Sequence, residues 1–364
     1  MGKRILIIDS GSTGRNFFSL ILKRWASTDS ELCLWSANQA LVSMANEHSW
    51  PTLVCPKVMG HDMSWSEKFK LLSLKAKLLK SNWPKSYDAV VMLNWPEKIL
   101  LSPLVKRLNI RLIWLEDGTL DHHKLPTKYL AKLINQSADA KILAVNQMVV
   151  NNLTTVGYAK DSLRLIPDCA RPGLIQADLF QNLARHFKLR KDYFTIGAKV
   201  DWQNGNLAET LIKALQICLD VSSHFQLVLM GDGPAREQIK WLIKRWHLET
   251  QVWLVGDQPQ SEKWLESFSA LVLATSRPDW DDLTLAVTAM AKNITVIGRS
   301  QTILESLLTH DLGRLVAIDS SQELATNWLA LYQNPPQANN YQMRNFNKQL
   351  VSFEALADKL LAII

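Results

Sequence analysis

Short apolar runs alternate with segments of helical period from one end of this chain to the other, and that alternation most limits what it can fold into. In the first half the runs are RILIID, ELCLW, TLVCP, DAVVMLN, RLIWLED and AKILAVN; in the second, DYFTIGAKV, QLVLMG, VWLVG, ALVLATS, ITVIG and GRLVAID. Each is short and apolar on both faces, and helical patterns fill the gaps. Phe18, Ile21, Leu22 and Trp25 recur at helical spacing as one buried stripe, as do Ile239, Leu242, Ile243 and Trp246. Strands buried on both faces and separated by helices predict parallel sheets of right-handed βαβ units. Pro234 is placed for the first position of a helix, and Ser320 with Glu323 reads as a capping box.

The pattern breaks once, at PDCARPGLIQADLF, where Pro167, Pro172 and Gly173 punctuate it. With 364 residues the chain is long enough for two cores. The expected organisation is a first doubly wound domain over 1–170, a linker over 171–192, a second over 193–340, and a C-terminal helix within 341–364 packing back on the first. Ligands of such sheets bind beyond the carboxyl ends of the strands, so the expected site is a central cleft between the two domains. No apolar run approaches the ~20 residues a bilayer span requires, and the opening MGKRILIIDS reads as a first strand rather than a signal peptide. Cys33, Cys55, Cys169 and Cys218 share no metal-ligand spacing and read as reduced thiols of a cytoplasmic protein. No metal site is expected. The net charge of +7 calls for an anionic partner, but no nucleic-acid recognition motif accompanies it.

Several residues are placed for chemistry. Asp9-Ser10-Gly11-Ser12-Thr13-Gly14 joins the first strand to the first helix, and Gly11 and Gly14 would let a donor phosphate approach a helix N-terminus. The loop also resembles the first phosphate loop of the actin and sugar-kinase superfamily, but there it turns a β-hairpin, whereas RNFFSLILKRW reads as a helix. A tight turn without ligand is the plain alternative. Glu116 and Asp117 end a middle strand, where a carboxylate could serve as base or hold an acceptor hydroxyl, or cap the turn at Gly118. Asn94 and Asn146 either line the cleft or cap helices. His122 and His123 are adjacent, which is not metal-ligand spacing on a helix. Over 64–85, six lysines lie among leucines, five of them between Trp65 and Trp83. That predicts contact with an anionic membrane surface, or a domain helix with a solvated basic face.

From about 194 to 336 the order of elements resembles the donor domain of the family-4, or group-1, glycosyltransferases. MGDGPAREQIKWLIKRW, VWLVGDQP, SFSALVLATS, LAVTAMAKNITVIG and ILESLLTHDLGRLVAID match its blocks in order, and SLRLIPDCAR resembles the end of its first domain. The resemblance implies the GT-B fold: two Rossmann-like doubly wound domains facing a cleft. It implies a retaining transfer from a UDP- or GDP-linked sugar to a glycan or glycolipid acceptor, with no cofactor and no essential metal. The setting would be synthesis of a bacterial surface glycan such as lipopolysaccharide, in the cytoplasm or peripherally on the inner face of the plasma membrane. By position, the donor-side residues would be Gly231 of the Gly-Asp-Gly-Pro turn, Lys199, Arg277 or Arg299, and Thr288, which stands where the family's ribose-binding glutamate belongs. Asn204 stands where a lysine is usual. The family's other glutamate falls on Trp280, so Asp281 or Asp282 would take its place at the sugar. The loss of both glutamates opens a second possibility, a non-catalytic GT-B protein that binds a glycan or stabilises a partner enzyme.

Overall fold

A computed structural model describes residues 2–11, 16–55, 87–169, 189–190, 192–203, 205–258, 261–300, 302–308, 313–335, 348 and 350–364. The basic segment 64–85, Gly14, Asn204 and nearly all of the expected linker lie outside the described residues. The chain divides into two units. One comprises Met1–Pro167, Asp279–Asp281 and Ser352–Ile364; the other comprises Asp168–Pro278 and Asp282–Val351.

The first unit is built on seven parallel strands: β1 (Arg4–Asp9), β2 (Glu31–Ser36), β3 (Thr52–Val54), β4 (Ala89–Met92), β5 (Arg111–Glu116), β6 (Lys141–Ala144) and β7 (Leu163–Leu165), in the order β3-β2-β1-β4-β5-β6-β7. Its helices are α1 (Asn16–Ala26), α2 (Gln39–Glu47), α3 (Trp95–Arg107), α4 (Thr127–Ser137) and α5 (Gln147–Val156). The stripe of α1 is buried as its spacing requires. Asn38 and Asn146 cap α2 and α5 through their side chains. Pro103 inside α3 cannot donate to the Ile99 carbonyl one turn back, and the Gln136 amide of α4 donates to it instead at 3.3 Å. A C-terminal helix, Phe353–Ile363, belongs to this unit: the Trp25 indole donates to the Ala357 carbonyl at 2.8 Å, and Arg24 pairs with Asp358 at 3.2 Å.

The second unit holds six parallel strands: β8 (Phe194–Val200), β9 (Phe225–Met230), β10 (Val252–Gly256), β11 (Ala270–Ala274), β12 (Thr295–Gly298) and β13 (Gly313–Leu315), ordered β10-β9-β8-β11-β12-β13. Here α6 (Asn206–Val221), α7 (Arg236–Arg245), α8 (Trp280–Ala291), α9 (Glu305–Leu308) and α10 (Ser321–Gln333) complete the alternation, with the first turn of α8 shared with the other unit. Ile239, Leu242 and Ile243 are buried in the core with Phe225, Leu211 and Trp328, while Trp246 is only partly covered. Two end details differ from expectation. α7 starts at Arg236, because Pro234 belongs to the preceding turn. At α10 the Ser320 hydroxyl accepts from Glu323 N, but the Glu323 carboxylate reaches past Ser320 to Ala317 N at 2.9 Å. Gly197, mid-strand in β8, is obligatory, since a Cβ there would lie 2.1 Å from the Phe268 ring.

Trp328 is fully buried, and its indole N–H meets no acceptor among the described residues. Trp328→Ala should cost about 3–5 kcal/mol through the cavity it opens. Trp328→Phe, which keeps most of the volume and removes an unsatisfied donor, should stay within about 1 kcal/mol of wild type. Urea denaturation of both variants checks the asymmetry.

Candidate functional site

In an open parallel sheet the ligand-binding crevice opens where neighbouring strands send their chains to opposite sides. In the second unit that point falls between β8 and β11. Lys199, the penultimate residue of β8, is registered against Leu273 of β11. After β11, the short stretch from Thr275 to Asp279 leads into α8. That turn brings Asp282, in the first turn of the helix, back over the strand end. The Lys199 ammonium lies 2.5 Å from Asp282 Oδ1; the carboxylate is about 3% exposed and the lysine side chain 29%. The Thr275 hydroxyl donates to Asp282 Oδ2 at 3.2 Å. Beside them, the Ser276 hydroxyl donates to Asp201 Oδ2 at 3.1 Å, and Asp201 Oδ1 accepts from Gln203 N.

Next to this edge, the end of β9 turns through Gly231, whose φ of 108° favours glycine. A Cβ there would lie 2.6 Å from the Trp202 indole nitrogen, which donates to the Met230 carbonyl at 3.1 Å. Gly231 is thus fixed by its close approach to Trp202. Arg277 is exposed just after β11, and Arg299 is half-buried after β12. Thr288 lies two turns into α8, is buried, and donates its hydroxyl to the Thr284 carbonyl at 2.6 Å. Where the family pattern calls for a ribose-binding carboxylate, this helix has a hydroxyl bonded to its own backbone. A cavity of about 550 Å³ opens at the opposite end of the sheet, lined by Phe194, Phe268 and Ile294 among others, and none of these candidates lines it.

The corresponding reversal in the first unit falls between β1 and β4, at Asp9-Ser10-Gly11 and Asn94. Asp9 Oδ1 accepts from Gly11 N at 3.1 Å and from the Asn94 amide at 2.7 Å. Glu97 closes the cluster: Oε1 accepts from Asn94 N at 2.6 Å and Oε2 from the Ser10 hydroxyl at 2.5 Å. Burial pushes the Glu97 carboxyl up to about 7, helped by the charge of Asp9 and opposed by the Ser10 hydrogen bond. Sequence reasoning missed Glu97 and Lys98; the signal was the Asn-x-x-Glu spacing of a capping box.

Several of the candidate residues are already engaged by neighbouring groups. The glycine loop was to offer the N-terminus of α1 to a donor phosphate. Asp281, within the same unit, already holds that position, accepting from Asn16 N at 2.9 Å and Phe17 N at 2.6 Å. A carboxylate is stabilised at a helix N-terminus as a phosphate would be, and Asp281 caps α1 in this way. Glu116 is buried in an ion pair with Lys98 at 2.8 Å, and Lys98 also donates to the Leu115 carbonyl. Asp117 folds back to accept from Thr119 N and the Thr119 hydroxyl at 3.0 and 2.6 Å. His122 bonds the Tyr158 hydroxyl at 3.1 Å, and burial first of all holds its pKa below the usual imidazole value. Among the described residues no group of three or more His, Cys, Asp or Glu could hold a metal ion.

Two Rossmann-like parallel units of this topology define the GT-B fold. Residues 191–334 match the family model for glycosyl transferases group 1. Among solved structures, Anabaena HepE in complex with UDP and glucose superposes with a TM-score of 0.77 at 15% identity, covering 100% of this chain and 99% of that one. A glycosyltransferase from Rickettsia africae gives 0.74 at 15% identity over 100% and 97%. Sucrose-phosphate synthase from Thermosynechococcus elongatus gives 0.73 at 15% over 100% and 98%. No curated protein matches the sequence.

The Glu97 cluster generates a pH prediction. A carboxyl ordinarily near 4.5 that titrates near 7 in the fold keeps a proton that the unfolded chain gives up. Its contribution therefore falls as pH rises from about 4.5 to about 7. Glu97→Gln should gain stability relative to wild type between pH 5 and pH 8, by on the order of 1–3 kcal/mol. Urea denaturation at both pH values measures it, and a constant difference would contradict the assignment.

Proposed function

We propose that the chain is a retaining glycosyltransferase that moves a sugar from a UDP- or GDP-linked donor to a glycan or glycolipid acceptor in cell-surface polysaccharide synthesis. The observation that carries this reading is Lys199 at the β8–β11 reversal of a group 1 domain. As the glycosidic bond to the donor breaks, negative charge gathers on the leaving diphosphate, and a fixed cation there lowers the barrier. In this reading Lys199 supplies that charge and no metal is required. The N-terminus of α6, opened by Gly205 with φ 71°, adds a favourable dipole next to the same strand end. HepE, a structural neighbour, binds UDP and glucose, which supports a nucleotide-sugar as ligand.

A second reading is favoured by a specific observation. Trp280 and Thr288 replace the family's glutamates, and Thr288 spends its hydroxyl on the helix backbone. A protein that binds the donor or a glycan without turnover would keep the scaffold and lose those groups. For location we propose the cytoplasm, with peripheral contact at the inner face of the plasma membrane through the basic segment 64–85 as the alternative. No helix among the described residues is long and apolar enough to cross a bilayer.

Thermal stabilisation by UDP, GDP and their sugars, followed by donor hydrolysis, tests the proposal. Wild type should be stabilised by one nucleotide series. Lys199→Ala should weaken that binding by about tenfold or more, the scale of a charge-assisted contact. Binding with no hydrolysis or transfer would favour the second reading. No response to any nucleotide would sink the enzyme reading.

A further inference from the structure

The Lys199–Asp282 pair has unequal members. Asp282 is fixed from three directions: by the Thr275 hydroxyl at 3.2 Å, by the ammonium at 2.5 Å, and by its place in the first turn of α8, where the helix dipole favours a carboxylate. It is almost completely buried, and a buried carboxylate is strongly disfavoured without its cation. Lys199 is the adaptable member. Its side chain is 29% exposed, against 3% for Asp282, so it is the member that solvent and ligands can reach. An anion reaching Lys199 from the solvent side therefore meets a cation that already serves a carboxylate held in place behind it.

We propose that Asp282 is an affinity-setting residue that competes with the diphosphate for Lys199 and weakens the site most for the more highly charged ligand. A sugar nucleotide carries its diphosphate as a diester. The nucleoside diphosphate left after transfer has a free terminal phosphate with additional negative charge near neutral pH. Repulsion from Asp282 grows with that charge, so it acts more strongly against the product than against the donor. A built-in counter-anion thus favours release of product, a step that limits many transferases. The identity of the ligand rests on the donor reading above, whereas the competition itself requires only a diphosphate.

Isothermal titration with inorganic pyrophosphate, UDP and UDP-glucose tests this on wild type, Asp282→Asn and the Lys199→Met/Asp282→Asn double variant. Asparagine keeps an acceptor for Thr275 and removes the charge; Asp282→Ser serves as a second neutral variant, and circular dichroism confirms the fold of each. The neutral variants should bind pyrophosphate and UDP about tenfold more tightly or better, with a smaller gain for UDP-glucose, and the double variant should lose the gain. Pyrophosphate affinity that is unchanged or weaker in both neutral variants overturns the proposal. So does an equal gain for UDP and UDP-glucose, because the charge discrimination would then be absent. If UDP binds none of the proteins while pyrophosphate still gains through Lys199, the competition stands and the donor reading falls. If UDP binds wild type and weakens on neutralising Asp282, the competition falls and the donor reading stands.

Discussion

Parallel strand pairing is the constraint from which the rest of each unit follows. A parallel strand cannot be followed by a tight hairpin, so each β-strand must hand over to a crossover, and the described crossovers carry helices that cover both faces of the sheet. All strand carboxyl ends of a unit then emerge along one edge, and the one reversal of strand order opens a crevice there. In the second unit that edge carries Lys199, Asp201, Gly231 and the start of α8. In the first it carries Asp9, Ser10, Asn94 and Glu97. The chemistry follows the topology because the topology decides which loops can meet.

At these edges, acidic side chains settle wherever positive potential is available. Asp281 takes the N-terminus of α1, Asp282 takes Lys199, and Glu116 takes Lys98. Each arrangement leaves a buried carboxylate with hydrogen-bond donors or a cation, as burial of charge requires. Glu97 is the contrasting case. It lies against Asp9 with hydroxyl and amide donors but no cation among its described partners, and its carboxyl titrates near 7.

How much of this was legible in the sequence depends on the range of the interaction. Strands and helices were readable because burial on two faces leaves continuous apolar runs such as FQLVLM, while burial of one helix face leaves stripes such as Ile239, Leu242 and Ile243. The group 1 blocks were readable for the same reason, since they are local strand, turn and helix signals in fixed order. The partners of the charged groups were not readable. Asp281 caps a helix some 264 residues earlier in the chain, and the bond from Phe17 N is specified by tertiary structure alone. Lys98 was equally silent, although a lysine in the apolar helix WPEKILLSPLV signals a buried cation in need of an acid. Pro234 was misjudged by two residues because proline at a helix start and proline in the preceding turn leave similar local patterns.

The proposed site for an anionic nucleotide ligand is the β8–β11 edge of the second unit rather than the glycine loop of the first, where Asp281 already holds the helix N-terminus. Hydrogen–deuterium exchange with and without UDP measures this directly across the whole chain. Protection should concentrate in peptides spanning residues 197–206 and 273–284. Protection confined to residues 2–17 or 90–98, with the second unit unchanged, would contradict the account.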